Sequence, residues 1–263
     1  MENHPKVTVV TVCYNSQDVI EKTILSVIHQ TYPHNLEYII IDGGSKDGTV
    51  DVIRKYESKI SKWISEPDGG VYFAMNKAIK LAHGEWINFM NAGDSFCSNH
   101  VLASCFENKD YGSDIALICG DTICVFPWSN YLRKGQNSDG TFNFCHQSVF
   151  TRTRLLKEEP YDTFYRIIAD NVWYQNLLRS SFKLEYIAVA VANYEGYSGI
   201  SAKNGVRFYI EHSRSKQVRQ NVRWKLSVLK LRLKLKMQSL IPRSIRDKVW
   251  ERELNKTLIR LNE

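Results

Sequence analysis

The chain has 263 residues, 43% apolar and 24% charged, the composition of an ordinary globular protein and enough for one large α/β domain with an extension. No apolar run approaches the roughly 18 residues of a membrane span, and a strand predicted almost at the first residues leaves no room for a signal peptide, so a cytoplasmic protein is expected. The net charge of +7 is uneven: residues 203–263 carry 17 Lys+Arg against 5 Asp+Glu, a net of +12, and the remaining 18 against 23 give −5. A mildly acidic body with a basic end points to an anionic partner for that end, either a membrane surface or nucleic acid.

Val7–Val12 is a β-branched run that reads as the first strand, closed by Tyr14–Asn15–Ser16. Val19–Gln30 places Val19, Ile20, Ile24, Val27 and Ile28 on one helix face, and Pro33 stops it. Leu36–Ile41 is a second buried strand that runs into Asp42–Gly43–Gly44–Ser45. Thr49–Tyr56 reads as a helix with Asp47 as its N-cap, Trp63–Ser65 as a third strand before Pro67–Asp68–Gly69–Gly70, and Val71–Ala82 as a helix. Trp86–Met90 is a fourth strand, followed by Asn91–Ala92–Gly93–Asp94. In the second half, Ile115–Cys119, Thr122–Phe126, Ser148–Thr151 and Leu184–Val191 are strand candidates, and Asn171–Leu178 reads as a helix with Asp170 at or near its start.

Strand and helix alternate through the first half, which predicts right-handed βαβ units, a mostly parallel sheet and an α/β fold. In such sheets ligands bind beyond the carboxyl ends of the strands. Tyr14 with Asn15, Asp42, Asp68 and Asp94 are the polar residues at those ends, so they are expected to converge on one edge. No G-x-G-x-x-G follows the first strand and no P-loop occurs, which argues against a dinucleotide dehydrogenase or a P-loop NTPase. The six cysteines form no C-x-x-C pair, and buried free thiols are the simple reading.

Three acids carry the candidate chemistry. Asp42, with glycines after it, either accepts hydrogen bonds from a ribose or base or is an ordinary turn aspartate. Asp94 either holds Mg²⁺ or Mn²⁺, hard cations that favour oxygen ligands, or caps a helix at Ser98–Phe106. Asp170, after the apolar Ile167–Ile168–Ala169, is either a general base facing a cavity or an N-cap. His146 and Gln147, in Cys145–His146–Gln147–Ser148, are candidates for binding acceptor hydroxyls, with a structural histidine as the alternative.

In order and spacing these segments resemble glycosyltransferase family 2, the inverting enzymes of GT-A fold. The resemblance is carried by Thr8–Val9–Val10–Thr11–Val12–Cys13–Tyr14–Asn15, by the stretch from Ile40 through Asp42 to Thr49, and by Ser65–Glu66–Pro67–Asp68–Gly69–Gly70. Ala74–Met75–Asn76–Lys77–Ala78, Gly84–Glu85–Trp86–Ile87, Met90–Asn91–Ala92–Gly93–Asp94, His146–Gln147–Ser148–Val149–Phe150, Ala169–Asp170 and Gly199–Ile200–Ser201 continue it. It implies a nucleotide-sugar-binding GT-A (Rossmann-like) domain and members that build capsular, colanic-acid-like or O-antigen saccharides. By position, Thr11, Tyr14, Asp42 and Asp68 would contact the nucleotide, commonly UDP, with Asn15, Asn76 and Asn91 of the same motifs on the donor side. Asp94 matches the metal-binding last acid of a D-x-D-type motif, and Asp170 matches the catalytic base. Two departures stand out: Asn91 and Gly93 precede Asp94 where many members have consecutive aspartates, and Gly43 replaces the second acid of the frequent Asp-Asp-Gly-Ser loop. No membrane span of the processive polymerases is seen, and the one match to their Q-x-x-R-W motif, Gln220 with Arg223–Trp224, lies beyond the last landmark within the basic tail and is read as accidental, so transfer of a single sugar is expected.

Residues 1–202 are therefore read as the GT-A domain and 203–263 as a basic amphipathic helical extension. Leu226, Leu229, Leu233, Met237 and Leu240 fall on one helical stripe that ends at Pro242. Such a helix either lies on the inner face of the membrane, where a lipid-linked saccharide acceptor would be met, or packs on the domain or a second copy. A catalytically inactive GT-A scaffold and a nucleic-acid-binding protein are the competing readings, although no nucleic-acid fold motif is present.

Overall fold

The computed structural model describes residues 4–32, 35–197, 199 and 204–261. Pro33 and the Ile200–Ser201 end of the last motif lie outside the described residues. Val7–Cys13 (β1), Leu36–Asp42 (β2), Lys62–Ser65 (β3) and Trp86–Phe89 (β4) form a parallel block in the order β3–β2–β1–β4. The connecting helices are Ile20–Ile28 (α1), Thr49–Lys55 (α2) and Val71–Leu81 (α3). β1 and β2 read as continuous apolar runs because both faces of the sheet are covered. Val7, Val9, Tyr38 and Ile40 pack with Ile20, Ile24, Val27 and Ile53 of α1 and α2 on one side. Val10, Val12, Ile39 and Ile41 pack with Tyr72, Met75, Ala78 and Ile79 of α3 on the other.

Past β4 the sheet becomes mixed. Ser95–Phe96 (β5), Val101–Phe106 (α4), Ile115–Phe126 (β6) and Ser129–Arg133 (β7) are followed by Val149–Arg152 (β8), Thr153–Glu158 (α5), Ala169–Leu177 (α6) and Lys183–Glu195 (β9). β8 runs antiparallel to both β4 and β6, joining the second half to the parallel block. The two strands expected at 115–119 and 122–126 are one strand, β6, with its register against β9 shifted around Asp121. The turn residues Gly120 and Asp121 read as a break in sequence, but the chain absorbs them as an irregularity in a single long pairing. α4 begins only at Val101, so Asp94 does not cap it.

The basic end of the chain is helical: Gly205–Ser215 (α7), Val222–Leu240 (α8) and Arg243–Leu254 (α9) precede Ile259–Arg260 (β10). It returns to the body at separated points. β10 pairs antiparallel with β7, the Tyr197 hydroxyl donates to Asp247 Oδ1 at 2.9 Å, and Glu211 of α7 bonds the segment ahead of α6. No described helix is long and apolar enough to cross a membrane.

Candidate active site

The carboxyl ends of β1, β2, β3 and β4 carry the loops that were expected to meet, and the structure brings them together. After β1, Asn15 adopts a left-handed backbone (φ 47°), and its Oδ1 accepts from the Lys46 amide at 2.9 Å. Its own amide donates to Ser45 Oγ at 2.8 Å, so Asn15 ties the first loop to the second. Tyr14 stands out from this edge, 61% exposed, with its ring available to a ligand. In the second loop, Gly44 has φ +81°, and a Cβ there would meet Pro67 N at 2.9 Å. A Cβ on Gly43 would stand 3.1 Å from Asp68 Oδ2, so an acid in place of Gly43 would crowd Asp68. Asp68 Oδ1 accepts from the Gly70 amide at 2.7 Å, and the residue is partly exposed at the rim.

Several expected donor contacts face inward instead. Asp42 is fully buried: Oδ2 accepts from the amides of Gly44 and Ser45 at 3.2 and 3.0 Å and from Ser65 Oγ at 2.6 Å, and Oδ1 accepts from Ser45 Oγ. Its carboxylate builds the loop rather than presenting itself to a nucleotide. Thr11 is also fully buried, donating to the Met90 carbonyl at 2.8 Å and bonded to Tyr38 Oη at 2.9 Å. Asn76 spends its amide on the backbone of Tyr161, donating to its carbonyl at 2.8 Å and accepting from its amide at 3.0 Å. These residues were assigned to the donor because they stand in matching motifs; a motif records position and not the direction a side chain faces.

The acids Asp94 and Asp170 lie on either side of a short helical turn, His146–Ser148. Gln147 Nε2 donates to Asp94 Oδ2 at 2.8 Å, and the Glu195 amide donates to Oδ1 at 2.9 Å. Asp94 is 5% exposed, and burial pushes its carboxyl up to about 6 despite these donors. His146 Nδ1 lies 3.0 Å from Asp170 Oδ2, and the Tyr72 hydroxyl donates to Asp170 Oδ1 at 2.6 Å. Burial raises the Asp170 carboxyl, but the His146 bond and charge and the Tyr72 bond outweigh it and leave it below the ordinary carboxylate range. The mirror effect acts on His146, where burial lowers the imidazole and the Asp170 bond and charge raise it above its ordinary value. His146 and Gln147, expected to bind acceptor hydroxyls, are thus turned toward the two acids; Gln147 is 2% exposed and engaged by Asp94.

Divalent metal fits this site in one way. Asp94 is a hard oxygen donor, and Asn91 Oδ1, in the same turn, is buried without a hydrogen-bond partner. Among the described residues no group of three His, Cys, Asp or Glu side chains could hold a metal. The protein therefore offers one carboxylate and one amide oxygen, a set that suits a cation whose remaining ligands are phosphate oxygens and waters.

Sequence reasoning missed Tyr72, the Glu195 amide and Glu211. Tyr72 had a faint signal, since it is one residue into the helix that follows the Asp68 loop. The other two come from parts of the chain with no motif.

The sequence model of the family described as Glycosyl transferase family 2 matches residues 8–183. The chain belongs to that family. A Mycobacterium bovis "PGL/p-HBAD biosynthesis glycosyltransferase" is 30% identical over 215 residues, covering 75% of this chain and 79% of the relative. The putative teichuronic acid biosynthesis glycosyltransferase TuaG of Bacillus subtilis is 41% identical over 146 residues, 54% of this chain and 53% of the relative. An uncharacterized Mycobacterium tuberculosis glycosyltransferase is 39% identical over 107 residues, a match that spans 41% of that relative's length. Among solved structures, S. aureus TarS 1–349 in complex with UDP aligns with TM-score 0.58 at 18% identity, covering 78% of this chain and 62% of that one. The Pyrobaculum calidifontis mannosyltransferase PcManGT, in complex with GDP-Man and Mn²⁺, aligns with TM-score 0.61 at 19% identity, covering 81% and 65%. These likenesses establish the GT-A fold for this glycosyltransferase.

Proposed function

We propose that this chain transfers a single sugar from a nucleotide-diphosphate donor, a UDP-sugar, to a hydroxyl of a saccharide acceptor with inversion at the anomeric carbon. The observation that carries the reading is the turn at His146–Gln147, whose consecutive side chains bond Asp170 and Asp94. One rigid element thereby fixes the distance between a base and a cation-binding acid. The named relatives act in the biosynthesis of teichuronic acid and of PGL/p-HBAD, and TarS binds UDP, which supports a UDP-sugar and a surface saccharide.

In this reading Tyr14, Asn15 and Asp68 line the nucleotide side of the cleft, and Asn91 and Asp94 hold Mg²⁺ or Mn²⁺. The metal, when bound with the donor, offsets the charge that builds on the leaving diphosphate. Asp170 is the base. Tyr72 bonds one of its oxygens and His146 the other, and the four lone-pair sites of a carboxylate leave capacity for the acceptor hydroxyl. That hydroxyl gives its proton to Asp170 while its oxygen attacks the anomeric carbon, and the bond to the diphosphate breaks on the opposite face. His146 and Tyr72 hold the carboxylate ionised and in one orientation, so the proton acceptor is in place before the acceptor arrives.

The acceptor is proposed to be lipid-linked, met at an anionic membrane surface by α8. Leu226, Leu229, Leu233, Met237 and Leu240 form a stripe 51–80% exposed. The helix carries six Lys+Arg and no Asp or Glu, and its basic side chains flank the stripe on both sides. Its opposite face is the one that packs: Val228 is buried, and Leu235 Cδ1 approaches Gly205 of α7. An apolar stripe between two basic rows suits insertion at a headgroup boundary, where each basic residue adds about 1 kcal/mol. A nucleic-acid partner would use the charge but leave the leucines in water.

The test is a thermal-shift panel of UDP, GDP, dTDP and CDP, each with and without Mn²⁺, on the wild type and Asp94→Ala. Ligand at about 100 times its Kd stabilises the folded state by about 2.7 kcal/mol. Stabilisation by UDP that needs Mn²⁺ and is absent in the variant is expected. A wild type that responds to no nucleotide returns the chain to the inactive-scaffold reading.

A further inference from the structure

The family match ends at residue 183, yet the segment that positions the proposed base is held from beyond it. Glu211, in α7, is 4% exposed. Its Oε1 accepts from the Arg166 amide at 3.0 Å, and its Oε2 accepts from the amides of Arg166 and Ile167 at 3.1 and 2.9 Å. These amides lie just ahead of α6, whose first turn contains Asp170. The α6 N-cap residue, Ile168, offers no side-chain cap, so the carboxylate that meets this helix entry comes from a remote element. A negative charge near a helix N-terminus is favourable, and a buried carboxylate is kept only where donors satisfy it. Here the donors are backbone amides, whose direction fixes the chain.

The contact also orders the neighbouring loop. With its backbone gripped by Glu211, Arg166 donates from its guanidinium to the Gly69 carbonyl and stacks 5.3 Å from the Phe73 ring centroid. Gly69 follows Asp68, and Phe73 follows Tyr72, the hydroxyl that bonds Asp170. One buried acid of the basic C-terminal region thus ties α7 to the base, to its tyrosine partner and to the donor loop.

We infer that Glu211 is a positioning residue for Asp170, so that α7 belongs to the catalytic unit of this enzyme. The inference rests on the reading of Asp170 as the base. Moving a reacting group by about 1 Å costs on the order of 10²-fold in rate, and that is the scale of the effect expected here.

The experiment compares the full-length wild type, Glu211→Ala, Glu211→Gln and Asp170→Asn. Release of UDP with Mn²⁺ is followed on whichever of UDP-glucose, UDP-galactose, UDP-N-acetylglucosamine and UDP-glucuronate the wild type hydrolyses fastest, and UDP affinity is measured by calorimetry. Backbone hydrogen exchange is read by mass spectrometry on peptides covering the segment before Asp170. Glu211→Ala is expected to lose about 10²-fold in kcat with a much smaller loss of UDP affinity, and to expose the Arg166 and Ile167 amides to exchange. Glu211→Gln keeps one accepting oxygen and is expected to fall between the two in both readouts. Wild-type kcat in Glu211→Ala, unchanged protection of those amides, or loss of UDP affinity in step with kcat overturns the inference. Asp170→Asn separates it from the underlying reading. An inactive Asp170→Asn beside a fully active Glu211→Ala removes only the positioning role, whereas a fully active Asp170→Asn removes the base itself.

Discussion

Gln147 Nε2 donates to Asp94 Oδ2 at 2.8 Å across 53 residues of sequence, at a position where both side chains are almost wholly buried. Because His146, the preceding residue, bonds Asp170, a shift of this turn acts on Asp94 and Asp170 together. In the proposed reading, two adjacent side chains thereby set the separation of metal and base in the cleft.

Gln147→Leu should therefore weaken metal-dependent nucleotide binding without touching the base directly. It leaves a buried carboxylate oxygen short of a donor, which costs about 1–3 kcal/mol. Calorimetry of UDP with Mn²⁺ should show a loss of about tenfold or more in affinity, and a wild-type Kd would show that the bond does not orient Asp94.

The His146–Asp170 pair predicts a pH signature in stability. The Asp170 carboxyl is held below its ordinary value, so its contribution is present above about pH 3.9 and is lost as pH falls through the lower folded value. The His146 imidazole is held above its ordinary value, so its contribution is complete below about pH 6.5 and is lost as pH rises through the higher folded value. The pair contributes fully between about pH 4 and 6.5. Thermal unfolding of His146→Gln, followed from this range to higher pH, should lose the decline that the wild type shows as pH rises above about 6.5. Parallel profiles for the two proteins would mean that the pair is not coupled to folding.

Membrane attachment through α8 is tested by co-sedimentation with vesicles of phosphatidylcholine, with and without phosphatidylglycerol. The wild type should bind only the anionic vesicles and release them as salt is raised, because surface charge attraction is screened. Leu229→Glu with Leu233→Glu should abolish binding while leaving the UDP-induced thermal shift intact, since both residues are exposed. Equal recovery of this variant with anionic vesicles would place the attachment elsewhere.

Much of this fold was legible in the sequence because the βαβ half has both sheet faces covered. Its strands read as unbroken β-branched runs, and its helices show a single apolar face. The irregular second half was less legible. β7 and β10 are short strands whose pairing depends on each other and not on a local pattern. In α8 the alternation of Lys and Leu hides two apolar faces, one packed and one exposed, and residue order alone does not say which is which.

The site was legible as a set of positions more than as a set of roles. Asp94 and Asp170, singled out 76 residues apart, lie on either side of one turn. Motif position marks Asp42 and Thr11 as ligand contacts, but the Asp42 carboxylate, beside glycines and serines in a tight loop, finds its donors within that loop, and Thr11 spends its hydroxyl on Tyr38 and the Met90 carbonyl. Glu211 had no sequence signal at all, since a lone acid in a basic segment looks like a solvated charge.

The core around Phe106 supplies a stability control away from the cleft. Its ring is fully buried, with edge-on contacts to Phe150 at 5.0 Å and to Tyr111 at 6.1 Å between centroids. Phe106→Ala should cost about 3–5 kcal/mol in chemical denaturation while UDP affinity of the folded fraction stays unchanged.

In the proposed reading, Asp170 takes the acceptor proton in a cleft where Asp94 serves the donor. The most direct test of that role is the steady-state rate of UDP release from a turned-over UDP-sugar by Asp170→Asn, with UDP affinity measured on the same preparation. The expected result is a rate lower by about 10²–10⁴-fold at unchanged UDP affinity. A rate within about twofold of the wild type, with the variant folded and binding UDP, would contradict it.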